Sequence, residues 1–214
     1  MISSSSGGAV IVGDPSFVGL QGQSYQVHGI DGEIYNLITS QTTQINSRFV
    51  FLTEGECPMF NGIPDVNCWS HPGSYLGEIA IQQRVGDHVN QLLLVAGPAG
   101  KGFLSVSLNG QVMKINESFV DTDLFSVTYV TSHKITCSTE EFDFTFDNSD
   151  LFINQAVGVR KSMDQLTAHG LFGQTHKKVV YHTAIKYIEG SVDDYLVNDQ
   201  NIWSNDFFYN QFKN

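Results

Sequence analysis

The chain has 214 residues, 41% hydrophobic and only 15% charged, which suits one domain and excludes a large multidomain enzyme. Asp and Glu outnumber Lys and Arg by 22 to 11, a net charge of −11. That field repels phosphate, so neither nucleic acid nor an anionic membrane is an expected partner, while cations, neutral glycans and basic proteins fit.

Residues 1–8 are a Ser/Gly tract and read as a flexible leader. No apolar signal segment follows Met1, so either the protein is intracellular or the sequence begins inside a processed precursor. The longest apolar run, 92–96, falls far short of the roughly 18 residues of a membrane span. Residues 25–28 and 34–38 flank Gly29-Ile30-Asp31-Gly32, and Asp-Gly accepts positive φ, so this stretch predicts a hairpin. Strand-like runs follow at 44–52, 77–84, 89–95, 103–108, 111–115, 125–130, 133–137, 142–146 and 152–159. Asn109-Gly110 is the clearest two-residue turn. Phe142, Phe144 and Phe146 alternate with Asp143 and Thr145, which puts the rings on one face. The nearest approaches to a helical period, 192–197 and 205–212, are short. The pattern predicts an all-β chain, an antiparallel β-sandwich or flattened barrel with little helix. One domain is expected over 9–214, with a partly irregular tail from about 190.

The polar chemistry is sparse. Cys57 and Cys68 lie in a Pro/Gly/Asn-rich stretch where either a local disulfide or two reduced thiols fits. Cys137 is then the odd one, buried or paired with another chain. The seven histidines show no zinc spacing and read as surface or hydrogen-bonded groups. No Gly-x-Ser-x-Gly, phosphate loop or dinucleotide fingerprint is present. Glu140-Glu141 and Asp193-Asp194 imitate a glycosidase carboxylate pair, but neighbours on a strand face opposite ways, so both read as solvated edges. Trp203, Phe207, Phe208 and Tyr209 stand in an Asn-rich tail, and Trp69 and Tyr75 flank His71-Pro72-Gly73. Such aromatics suit stacking on sugars, docking on a subunit or folding back over a sheet edge. Asn116-Glu117-Ser118 is the one N-glycosylation sequon, meaningful only in a secreted chain.

Two segments carry a resemblance. Gly13-Asp14-Pro15-Ser16-Phe17, then Gln21-Gly22, Tyr25 and Gly29, resembles the opening of the von Willebrand factor type D domain, with Ser16 where a histidine is usual. His169-Gly170-Leu171-Phe172-Gly173-Gln174 resembles that domain's Gly-Leu-Cys-Gly-Asn signature, with Phe172 in place of cysteine. The cysteine-poor form is similar to segments of inter-alpha-trypsin inhibitor heavy chains and of plant root-cap and late-embryogenesis-type proteins. The resemblance implies an all-β domain of extracellular or secretory-pathway proteins, used for assembly and binding, with Gly13, Asp14, Pro15, Gly170, Leu171, Gly173 and Gln174 as framework. That extracellular setting implies a sequence that begins inside a processed precursor. A cysteine ladder for covalent multimers is not carried over. The resemblance also implies a calcium role for Asp14, but Thr175-His176-Lys177-Lys178 supplies no carboxylate, leaving Asp193 and Asp194 as substitutes.

The expected function is a non-catalytic structural or binding module that self-associates in an extracellular, coat, matrix or storage assembly. It requires no cofactor, with calcium as an option. A lectin-like module using Trp69, Tyr75, Trp203 and Tyr209 is the alternative, and an enzyme on the same scaffold the third reading.

Overall fold

The structure is a computed structural model that describes residues 8–12, 16–51, 59–60, 63–64, 74–97, 104–148, 152–177 and 192–205. Its strands are β1 (Gly8–Val12), β2 (Ser16–Val18), β3 (Ser24–Gln26), β4 (Ile34–Thr39), β5 (Thr43–Phe51), β6 (Met59–Phe60), β7 (Ile63–Pro64) and β8 (Ser74–Val85). Then come β9 (His88–Ala96), β10 (Leu104–Leu108), β11 (Gln111–Val112), β12 (Ser118–Asp121), β13 (Phe125–Thr131), β14 (Lys134–Ser138), β15 (Phe142–Asp147) and β16 (Asn154–Val159). One helical turn, α1 (Gly170–Gly173), follows.

The strands form two antiparallel sheets packed face to face, the sandwich the strand pattern predicts. One has eight strands in the order β12-β13-β14-β15-β16-β1-β2-β3, the other six in the order β11-β10-β9-β8-β5-β4; β6 and β7 pair separately. Period two decides which side chains enter the core. Phe142, Phe144 and Phe146 of β15 are buried, Asp143 between them is exposed, and the inner row extends to Val127, Ile135, Cys137 and Val157 on neighbouring strands. Ile45, Ile79, Ile81, Leu92, Leu94 and Val106 are buried in the six-stranded sheet. Each such large side chain contributes roughly 1.5–3 kcal/mol on burial. Cys137 sits in this core, where burial pushes its thiol pKa up, so of its two expected roles it takes the buried one.

Several expectations are corrected. Asp31-Gly32 does turn, with Gly32 at φ +78°, but the flanking strands do not pair. β3 ends the eight-stranded sheet and β4 ends the other, so 27–33 crosses between layers. A positive-φ pair turns the chain without choosing the partner strand. Gly8 belongs to β1 rather than to a leader. Strand 111–115 stops at Val112, because the chain then leaves its sheet to reach β12 in the other. Residues 192–197 begin as a single 3-10 turn, Val192–Tyr195. Cys57 and Cys68 lie outside the described residues.

Candidate functional site

The described parts of the two signature segments touch. Phe17 of β2 and Tyr25 of β3 are register partners with stacked rings 5.2 Å apart, and Phe172 of α1 lies 6.1 Å from Phe17. The Tyr25 hydroxyl donates to Leu171 O at 2.7 Å, and burial raises its pKa well above the ordinary phenol value. The Leu20 N–H donates to Thr175 Oγ1 at 2.9 Å, and Gln23 Nε2 to the carbonyls of Thr175 and Lys177 at 3.0 and 3.1 Å. Gly19 is required here, since a Cβ would stand 2.7 Å from Thr175 Cβ. Gly170 is required twice over: its φ is +95°, and a Cβ would meet Asn36 Oδ1 and lie 2.7 Å from Leu37 O. His176 is buried and its Nδ1 donates to Gly173 O at 2.8 Å; burial lowers its pKa from the ordinary imidazole value. Leu171, Phe172 and Gly173 are buried, so this clasp is framework with little surface to offer a ligand.

The clasp also covers sheet edges. The main chain of His169 exchanges hydrogen bonds with Thr39 of β4 at 2.8 and 2.9 Å. Leu196 bridges to Tyr35, and the Val197 N–H donates to Ile34 O at 2.8 Å. One side of the sandwich, where β3 and β4 end their sheets, is thus closed by 169–177 and 192–197.

The six-stranded sheet hides a polar layer as well. On β4, β5 and β8, Asn36, Gln44, Asn46 and Gln82 are buried. Asn46 Oδ1 accepts from Asn36 Nδ2 and Gln44 Nε2, both at 3.0 Å. Asn46 Nδ2 donates to the carbonyls of Ile202 and Ser204 at 3.0 and 2.7 Å, and Gln82 Nε2 donates to Trp203 O at 2.9 Å. Residues 202–204 are therefore strapped over this sheet by side-chain amides reading main-chain carbonyls. Sequence reasoning missed the layer; its only trace is polar residues alternating in strands otherwise apolar.

The opposite side carries no such cover among the described residues. There β11 and β12 end the two sheets, joined by 113–117. Val112, Ile115 and Val120 are 76, 46 and 70% exposed, an apolar line on an otherwise acidic chain. A crevice between the layers is lined by Leu108, Val112, Met113, Glu117 and Phe119. The Tyr129 N–H donates to Glu117 O at 2.9 Å. The alternation of an antiparallel ladder then turns the N–H and C=O of Ser118 and Val120 outward, unpaired by β13. Asp121 anchors the strand by accepting from His88 Nε2 at 2.5 Å and Asn90 Nδ2 at 2.6 Å; the His88 contact, then that of Asn90, holds its carboxyl pKa down. β12 was not legible as a strand, because Ser118-Phe119-Val120-Asp121 is too short for a period to show.

The remaining candidates are dispersed. Gly13, Asp14, Pro15, Trp69 and Tyr209 lie outside the described residues. Asp193 and Asp194 are exposed on the 3-10 turn, while Gln174 donates to the Tyr195 hydroxyl at 2.9 Å. Among the described residues no group of three or more His, Cys, Asp or Glu is placed to hold a metal. The Tyr75 ring packs on Phe152, with centroids 4.7 Å apart, and both Tyr75 and Trp203, the latter within the strap, are half-buried. The Glu140-Glu141 pair is not a solvated edge. Glu141 is buried and accepts from Ser40 and Thr42, and Glu140 pairs with Lys161 at 2.8 Å, which locks two turns together. A shallow groove on the outer face of the eight-stranded sheet, lined by Val10, Asp143, Thr145, Ala156 and Gly158, gathers no nucleophile and base. The chain matches no family model and no curated protein.

Proposed function

We propose that the chain is a non-catalytic binding module that self-associates through the β11–β12 side, in an extracellular or secretory-pathway assembly, on a scaffold of von Willebrand type D character. The observation that carries this reading is the asymmetry of the two sides. Natural sheets shield their edges, and here one side is closed by main-chain bridges and buried side chains. The other leaves the outer edge of β12 without a partner strand among the described residues, with Val120 exposed. A second copy pairing antiparallel along β12 would extend the eight-stranded sheet and cover the valines of both copies. Contact between Phe17-to-Tyr25 and Leu171-to-Thr175 supports the type D part, since the two signatures are expected to meet.

Size-exclusion chromatography with light scattering tests the reading on the unglycosylated full chain and on its Val120→Lys variant. The wild type is expected as a dimer or larger species and the variant as a monomer. A wild type that stays monomeric at every concentration would reject it.

A further inference from the structure

We infer that Asn116 is an N-glycan acceptor and that its glycan covers the open β12 edge, so that assembly through this side is confined to copies that lack the glycan. The acceptor rests on the secretory-pathway part of the reading above, and what the glycan controls rests on its open edge. Asn116-Glu117-Ser118 is the only sequon in the chain, and residues 114–118 are all exposed. The turn is built without the Asn116 side chain. Its main-chain N–H donates to Tyr129 O at 2.6 Å, Glu117 N–H to Lys114 O at 2.9 Å, and the Glu117 carboxylate accepts from the Lys114 N–H at 2.7 Å. Asn109, the other Asn in a turn at positive φ on this side, differs: its amide donates to Asn90 Oδ1 at 3.0 Å and its carbonyl accepts from the Gln91 N–H at 2.8 Å. Asn116, at φ +67°, makes no such side-chain bond among the described residues, so its amide nitrogen is spare. The sequon hydroxyl, Ser118 Oγ, stays at the surface against Thr128 Oγ1 at 3.1 Å.

In the transfer, Asn116 Nδ2 attacks the anomeric carbon of an oligosaccharide carried on a polyprenyl diphosphate. The C–N bond forms and the C–O bond to phosphate breaks. The electron pair leaves with the polyprenyl diphosphate, and the amide proton passes to a base of the transferase. The sugar then stands two residues before β12, beside Ile115 and within the side on which Val112 and Val120 are exposed. A bulky hydrated group at that point is a steric cover of the kind sheet edges need.

The test is secretion of the full chain from eukaryotic cells behind a cleavable signal, followed by intact mass and light scattering. Asn116→Gly and Ser118→Ala both remove the sequon, and glycine also accepts the positive φ, so the turn survives. The wild type is expected to carry one glycan and run as a monomer, with both variants unmodified and assembled. An unmodified wild type that assembles like the variants would overturn the acceptor while sparing the edge reading. A glycosylated wild type with monomeric variants would overturn the covering role together with the edge reading. A glycosylated wild type that assembles as fully as Asn116→Gly would overturn the covering role alone.

Discussion

Gly170 shows how a single residue ties the second signature to the sheet. Its left-handed backbone lets α1 start against β4, and no Cβ fits between it and the Asn36 side chain and Leu37 carbonyl. Gly170→Ala is therefore expected to cost about 2–5 kcal/mol, the sum of left-handed strain and overpacking. Gly86, at φ +58° with open space around it, is the control: its alanine variant should lose only about 1–2 kcal/mol in the same urea titration. His176 gives the clasp a pH dependence of known sign. Its folded pKa is depressed, chiefly by burial, so the unfolded chain binds the extra proton. The contribution is fully present above the ordinary value of about 6.5 and is lost as pH falls through it toward the folded pKa. Urea midpoints should decline over that window, and His176→Gln should flatten the decline. An unchanged slope in the variant would show that other groups cause it.

The strap over the six-stranded sheet is the element whose role is easiest to isolate. Asn46→Ala removes both bonds to the Ile202 and Ser204 carbonyls and leaves Asn36 and Gln44 without their shared acceptor. The expected loss is about 1–3 kcal/mol, with amide exchange rising first at 202–205. Exchange that rises evenly through β5 and β8 instead would mean that the strap is not a separate unit. β15 and the Asn109-Gly110 turn were legible because period two and positive φ are local properties. The amide layer was not. Asn46 and Gln82 look like ordinary solvent-facing positions until the chain returns to cover them, 156 residues after Asn46 in the contact with Ile202. The crossing at 27–33 was misread for the same reason: Asp31-Gly32 dictates a bend, while the choice of sheet is made by strands far along the chain. In the candidate site, Phe17, Tyr25 and Leu171 could be named from motifs, whereas the open edge is defined by what fails to cover it.

At the scale of the molecule the two sides of the sandwich differ. A closed side joins β3 and β4 to 169–177 and 192–197; an open side leaves β11 and β12 at the ends of their sheets. Val120→Lys places a charge on a 70% exposed position, so stability should change by no more than about 0.5 kcal/mol while assembly is lost. A large fall in stability would mean that Val120 works inside the fold. Amide hydrogen exchange on the unglycosylated full chain, followed as a function of protein concentration, probes the interface directly. The account predicts that the Ser118 and Val120 amides slow as concentration rises, while those of β3 keep a constant rate. Rates at β12 that are independent of concentration, or slowing confined to the β3 and β4 side, would contradict it.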